Sequence, residues 1–505
     1  MTSSRPSGSP AVINGLRSAT ETAGRTVGNY IGGRWAASDA TRFGEVRNPV
    51  TDELIARVPL GAESDVDRAV QAAARAFPAW RGTPPVQRVK PLWKLKNLME
   101  EHFDDIARVC TREHGKTLDE SRSSVRRAID NVDLAFGILD RLMGTSLEDI
   151  AAGIDCHTVR QPLGVFAAIT PFNFPVMVPM WFLPHAVACG NTFIVKPSER
   201  VPLSQVRMFE LMDEAGFPEG VVNLVNGGKD AVDAILEHPG IAGVSFVGSS
   251  PVAQYIYRRA AERGKRVQAL GGAKNFVVVL PDADIPRAAQ ISTESCFGCA
   301  GERCLANSVV LAVGEAHGKL RDRLVEEAKK LKVGDGQDPG VTMGPLITRQ
   351  HREKVLGYIE QGIAEGAELL LDGRAYRDAK HPEGYFLGPT IFDGVRPEMT
   401  IGREEIFGPV LCLMKARDFD EAVEIVRRHE LGNATSIFTS SGKWAREYRY
   451  RVEPSMLGVN IGVAAPMAYF PFGGAKGSFY GDLKAHGRDS IEFYTDKKVV
   501  ISRWF

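Results

Sequence analysis

An α/β fold built on parallel sheets is predicted by three features of the chain. Short β-rich runs alternate with helical stretches between residues 160 and 280, and a second alternation follows the cysteine cluster near residue 300. The length of 505 residues, 44% of them apolar and 25% charged, supplies enough apolar side chains for two or three cores. Strands separated by helix-length segments need crossover connections, which give a parallel sheet covered on both faces.

Residues 1–26 lack the apolar central run of a secretory signal and are expected to form a mobile leader. Arg5, Arg17 and Arg25 set against the single acid Glu21 also fit a transit peptide. The expected location is therefore cytoplasmic, or mitochondrial if the leader is a transit peptide. In the first alternation the expected strands are 164–170, 191–197, 221–225, 243–248 and 275–280, with helices over 203–214 and 252–263 between them. The apolar stretch 163–190 has the length of a membrane span. Pro171, Pro175, Pro179 and Pro184 each remove a helical donor, so a bent, buried interior segment is expected instead. The second alternation gives a strand at 308–314, charged helices near 318–331 and 349–366, and a strand at 409–416. A domain boundary is placed near residue 271, at the Gly-Gly of ALGGAKN. The C-terminal DKKVVISRWF is β-prone, with Val499, Ile501 and Trp504 apolar, and a second subunit is its expected partner.

Charge and cysteine usage narrow the function. Lys plus Arg equals Asp plus Glu at 62 each, so no net field draws the chain to nucleic acid or to an anionic membrane. Small-molecule chemistry is the better expectation. The odd number of cysteines, seven, is thinly scattered outside one cluster and does not resemble a disulfide framework. That cluster is CFGCAGERCLA. Cys296, Cys299 and Cys304 offer three thiolates, but a closed zinc or iron–sulfur site needs a fourth ligand, and the nearest histidine, His317, is isolated. No metal is expected. Cys304 stands apart, because Arg303 adjoins it and Gly301 frees the preceding backbone, surroundings that favour a thiolate nucleophile.

Other polar residues sit where a phosphate-bearing ligand could reach them. The run from strand 243–248 through Gly248-Ser249-Ser250 into a helix offers free backbone N–H groups to a phosphate. Lys196, Glu199 and Arg200 follow strand 191–197 at the carboxyl edge of the expected sheet, where they could hold a ribose and a phosphate. In TPFNFP the Asn173 amide must find either a neighbouring carbonyl or a developing oxyanion.

Taken together, PFNFP, KPSE, FVGS, the LGG segment, GERC, GPLI, GYFLGPTIF, EEIFGPV and PFGGAKGS resemble the aldehyde dehydrogenase superfamily, from about residue 28 to the C-terminus. The resemblance implies a Rossmann-like NAD-binding domain over 27–136 and 159–270 and an α/β catalytic domain over 271–470. It further implies a small β oligomerisation element over 137–158 and 471–505, and a homodimer or homotetramer. Cys304 would be the nucleophile, with Asn173 and the backbone N–H of Cys304 holding the oxyanion. Thr170, Phe172, Lys196, Glu199, Arg200, Gly248, Ser249, Gly271, Glu405 and Phe407 would contact NAD.

Within the superfamily the chain is most similar to the CoA-acylating members that act on methylmalonate and malonate semialdehydes, through FGCAGERCLA, GVAAPMAYFPFGG and SFYGDLKAHGRDSIEFYTDKKVV. Hydrolytic relatives carry a Glu before Leu-Gly-Gly to activate water, whereas this chain has Ala269. A thiol with a pKa of roughly 8.5 needs no such base, so CoA is the expected acyl acceptor. The expected reaction is NAD-dependent oxidative decarboxylation to propionyl-CoA or acetyl-CoA. Arg303 and Arg127 would hold the substrate carboxylate. From spacing alone Arg127 reads as a solvated residue paired with Asp130, and Arg122 and Arg126 leave the register of that assignment open. Two alternatives stand beside this reading: a hydrolytic semialdehyde dehydrogenase (succinate semialdehyde, for example) without CoA, and a non-catalytic protein that retains the fold.

Overall fold

The computed structural model describes residues 24–505 and the backbone of the short strand Val12–Ile13. The expected leader over 1–26 therefore lies almost wholly outside the described residues. Among them, no helix is long and apolar enough to cross a membrane.

The larger sheet has eight strands in the order Phe479–Gly481, Arg266–Leu270, Ile241–Val247, Val165–Ile169, Thr192–Lys196, Val222–Leu224, Asn29–Ile31, Arg34–Ala36. Its central strands, from Arg266–Leu270 to Val222–Leu224, are parallel, and antiparallel strands close both edges. Val165–Ile169 comes first in the chain among the parallel strands, yet it lies in the middle, between Thr192–Lys196 and Ile241–Val247. The chain therefore leaves it toward one edge and returns on its other side. The carboxyl ends of Val165–Ile169 and Ile241–Val247 flank the resulting crevice, the place where open α/β sheets bind ligands.

A second sheet has the order Glu368–Leu371, Thr390–Asp393, Val410–Ala416, Val309–Val313, Phe276–Val279, Ala434–Phe438, Met456–Val459. It is parallel except at the Glu368–Leu371 edge. Each large sheet has its own buried cluster of Val, Ile, Leu and Phe. The strand expected at 275–280 belongs to this second sheet, where it pairs with Val309–Val313 and Ala434–Phe438, and does not close the first. The strand that does close the first alternation, Arg266–Leu270, has no β-rich signature. Its Gln268 is fully buried and donates to Ser245 Oγ at 2.8 Å, so a polar side chain masks a buried strand.

The proline-bearing stretch also differs from expectation. It is buried, but after the strand Val165–Ile169 it forms a regular helix, Met177–Cys189, that runs through Pro184. Pro179 lies in the first turn of this helix, where an N–H has no intrahelical acceptor, so its missing donor costs little there.

The helix Leu118–Leu134 packs on Met177–Cys189. Thr117 and Glu120 open it with a reciprocal capping box, at 3.2 and 3.0 Å. Val125, Ile129 and Val132 are buried, as their spacing predicts, which turns the face carrying Ser124, Arg127 and Asn131 toward a pocket. The C-terminal strand Thr495–Arg503 pairs antiparallel with Ile154–Pro162 of its own chain, so its hydrogen-bonding partner is internal. Val499, Ile501 and Trp504 nevertheless remain 59%, 67% and 67% exposed.

Candidate active site

Cys304 follows an unusual turn. Cys299, Ala300 and Gly301 are three consecutive residues in the left-handed region, with φ of 49°, 52° and 76°. A Cβ on Gly301 would collide with the Gly408 carbonyl, so only glycine fits there. Beyond the turn, the amides of Asn275 and Asn433 both donate to the Cys304 carbonyl, at 2.9 and 2.8 Å. Asn275 belongs to a motif visible in the sequence, whereas Asn433 gave no signal. The nucleophile candidate is thus pinned from the second sheet. Cys296 and Cys299 are buried, and Cys296 packs within the core of that sheet. Among the described residues no three His, Cys, Asp or Glu side chains gather as a metal ligand set.

Asn173 is 4% exposed, and its Nδ2 donates to the Glu302 carbonyl at 2.9 Å. A primary amide has two N–H donors, and this contact uses one. The backbone carbonyl of Asn173 accepts from the ammonium of Lys116, a fully buried cation that also lies 4.1 Å from the Phe174 ring. Lys116 escaped sequence reasoning, since a lysine in an HGKT turn looks solvated.

The Cys304 thiol is pushed up to about 12, first by burial and then by the nearby Glu405 carboxylate, against the opposing pull of the Cys304 and Leu305 N–H groups and Arg303. Burial also pushes Glu405 itself up to about 7, while one of its oxygens accepts from the Ala273 N–H at 3.0 Å.

Cys304 lines a pocket of about 490 Å3, together with Phe174, Trp181, Phe472, Arg303 and Arg127. The two arginines differ in kind. Arg303 donates to Glu120 at 3.0 Å and to the Cys299 sulfur at 3.3 Å. Arg122 pairs with Asp104 and Arg126 with Glu100, which removes both from the pocket. Arg127 is exposed and, among the described residues, takes part in no ion pair, although Asp130 shares the pocket wall. The pairing with Asp130 expected from spacing does not form.

The residues expected to meet a dinucleotide gather at the crevice between Val165–Ile169 and Ile241–Val247. Thr170 follows the first strand and donates its N–H to the Lys196 carbonyl at 3.0 Å. Gly248 follows the second. Ser249 is the N-cap of the helix Ser250–Glu262, and its side chain makes no cap bond. Lys196 is 4% exposed and lies 3.4 Å from Glu199; burial opposes ionisation of Glu199, but the Lys196 charge prevails and holds its carboxyl below the usual range. Arg200 lies 5.4 Å above the Phe172 ring, which meets Phe407 edge to face at 5.8 Å. Phe407 has a φ of 58°, a strained value for a bulky residue. Side chains at Gly271 and Gly272 would strike Ser250 Oγ and the Glu405 carboxylate, so these glycines leave room for close backbone approach. A free helix N-terminus, a buried cation beside a carboxylate and a glycine floor fit a pyrophosphate flanked by riboses.

Ala269 is fully buried, opposite Tyr480 and Phe246 in the strand register, and packs with the apolar cluster on the far face of the sheet. Leu270 belongs instead to the cluster against which Cys304 packs.

The aldehyde dehydrogenase family matches residues 35–500. A malonate-semialdehyde dehydrogenase of Geobacillus kaustophilus is 50% identical over 476 residues, covering 94% of this chain and 97% of the relative. One from Halalkalibacterium halodurans is 47% identical over 481 residues, covering 95% and 99%. Among solved structures, a protein of Sinorhizobium meliloti described as a methylmalonate-semialdehyde dehydrogenase complexed with NAD superposes with a TM-score of 0.94, at 43% identity over 95% of this chain and 98% of that one. The methylmalonate-semialdehyde dehydrogenase of Oceanimonas doudoroffii gives 0.93 at 46% identity, with the same coverage of both chains.

Proposed function

The chain belongs to the aldehyde dehydrogenase family, and on that premise we propose that it oxidises malonate or methylmalonate semialdehyde with NAD and passes the decarboxylated acyl group from Cys304 to CoA. The observation that carries the reading is Arg127, a guanidinium without an ion pair among the described residues, in the same pocket as Cys304. A small aldehyde bearing a carboxylate satisfies both residues at once.

Cys304 gives its thiol proton to solvent and attacks the aldehyde carbon through Sγ. The oxygen that gains charge is met by the second N–H of Asn173 and by the Cys304 N–H. Lys196, Glu199, Arg200, Ser249 and Glu405 would hold NAD against Thr170, Phe172, Gly248, Gly271 and Phe407, and the cofactor when bound would supply the acceptor for the aldehyde hydride. The thioester left on Cys304 carries a β-carboxylate, which departs as CO2 while the same two donors hold the enolate oxygen, and a proton from solvent then adds to the α-carbon. A thiolate needs no base to activate it, so CoA removes the acyl group from Cys304 without the carboxylate that water would require. Arg127 binds the substrate carboxylate, and Arg303, held by Glu120, adds positive field. The exposed Val499, Ile501 and Trp504 support a homodimer or homotetramer in which a second copy covers them.

The test supplies malonate semialdehyde and NAD with and without CoA. Sustained NADH, CO2 and acetyl-CoA formation only with CoA is the expected result. Fast NADH formation with free acid release in its absence would overturn it. The hydrolytic reading is favoured by one observation, a Glu405 carboxyl near neutrality whose charge Cys304 feels. On that reading Glu405→Gln would abolish acid release.

A further inference from the structure

We propose that Ser124 and His486 complete the carboxylate-binding end of the pocket, donating hydrogen bonds to the substrate carboxylate beside Arg127. The inference rests on the reading of the substrate as a carboxylated aldehyde.

Three independent features converge on this end of the pocket. Ser124, Arg127 and Asn131 project from one face of the helix Leu118–Leu134, and all three line the cavity that holds Cys304; so does His486. Ser124 Oγ and both ring nitrogens of His486 are buried and, among the described residues, have no hydrogen-bond partner. His486 is 3% and Ser124 2% exposed. Buried polar groups without partners are rare and costly in native proteins, and several sharing one pocket wall point to a ligand that satisfies them. Finally, His486 has φ 68° and ψ 178°, a backbone conformation open in practice only to glycine. A histidine held there against its own preference indicates a function for the imidazole.

The pocket supplies the complementary chemistry. Trp181 meets the His486 ring edge to face at 4.8 Å, and Phe472 lies 5.7 Å away, so the imidazole is walled by apolar rings. Burial, His185 and Arg127 all hold the ring neutral. A neutral imidazole and a serine hydroxyl offer one N–H and one O–H. A carboxylate engaged by Arg127 keeps lone pairs free for both. Asn131 stays a wall residue, its Nδ2 bonded to the Arg127 carbonyl at 2.9 Å.

The test compares Ser124→Ala, His486→Phe and His486→Gly with the parent protein, using malonate semialdehyde and propanal as substrates. Malonate serves as a non-reacting probe whose binding is read from protection of Cys304 against iodoacetamide. Each substitution is expected to raise KM for the semialdehyde and weaken malonate protection by roughly tenfold more than it affects propanal. His486→Gly, which relieves the backbone, is expected to keep or raise Tm while losing carboxylate affinity. Equal effects on both aldehydes, with unchanged malonate protection, would overturn the proposal and leave His486 as a ring packed on Trp181. If the parent protein itself fails to turn over malonate semialdehyde, the functional reading falls. Malonate protection still decides whether Ser124 and His486 bind a carboxylate.

Discussion

The guanidinium of Arg303 lies 3.0 Å from the Glu120 carboxylate, so the positive charge next to the nucleophile is already paired. Glu120 also accepts the Cys299 N–H at 2.6 Å and the Thr117 N–H at 3.0 Å. One carboxylate thus ties the helix that carries Arg127 to the left-handed turn that precedes Cys304. Glu120→Ala breaks the capping box and leaves Arg303 without its counter-ion in a largely buried place. The expected loss is about 3 kcal/mol, seen as a lower denaturant midpoint with an unchanged slope. A change below about 1 kcal/mol, typical of a surface pair, would contradict this architecture.

Arg127 and Arg303 separate by stability as well as by kinetics. Arg127 has no ion pair to lose among the described residues, so Arg127→Leu is expected to leave Tm nearly unchanged while raising KM for malonate semialdehyde by about 10- to 100-fold relative to propanal. Arg303→Leu strands Glu120 and lowers Tm with either substrate absent. A matching drop in Tm for Arg127→Leu would mean that its role is structural.

The Glu405 carboxylate opposes ionisation of the Cys304 thiol. Below its pKa of about 12 the thiol loses its proton tenfold more readily with each pH unit, so iodoacetamide labelling is expected to climb without a plateau from pH 7 to 10. Glu405→Gln removes the negative neighbour and lifts that line by about three- to tenfold. The same carboxyl bears on stability. Its folded pKa, about 7, lies above the ordinary 4.5, so the folded state holds a proton that the unfolded chain releases. Stability from this group therefore falls as pH rises from 4.5 to 7, and Glu405→Gln flattens that slope.

Cys304 and Cys156 are the two cysteines with intermediate exposure; the other five are buried. Native alkylation followed by peptide mapping is expected to mark these two alone, and Cys304→Ser leaves only Cys156. Labelling of Cys296 or Cys299 in folded protein would show that the turn opens.

Much of this was legible because backbone rules write themselves into residue choice. Gly248, Gly271 and Gly301 stand where a side chain would strike a neighbour, and the alternation of strands with helices demanded crossovers. The parts that escaped depend on tertiary partners. Arg266–Leu270 carries a buried glutamine that Ser245 and Tyr494 explain, Lys116 is buried because a carbonyl and a ring receive it, and Asn433 reaches Cys304 from 129 residues away. The C-terminal strand was recognisable, but its partner within the chain was not, because strand propensity says nothing about which edge is free.

Ala269 gives the sharpest test of the acyl acceptor. Its methyl group faces the cluster containing Phe246, Ile256 and Tyr480, whereas the next residue, Leu270, faces the cluster that includes Cys304. Ala269→Glu would drive an unpaired carboxylate into apolar packing, at a cost of roughly 2–4 kcal/mol. The carboxyl would be held neutral there and would make a poor base for water. The variant is therefore expected to be destabilised while acid release without CoA stays below about one tenth of the CoA-dependent rate, a difference of at least 1.4 kcal/mol in barrier. A stable variant that hydrolysed its acyl-enzyme efficiently would show that residue 269 alone selects water over CoA. In that case the sheet must turn its side chain toward Cys304.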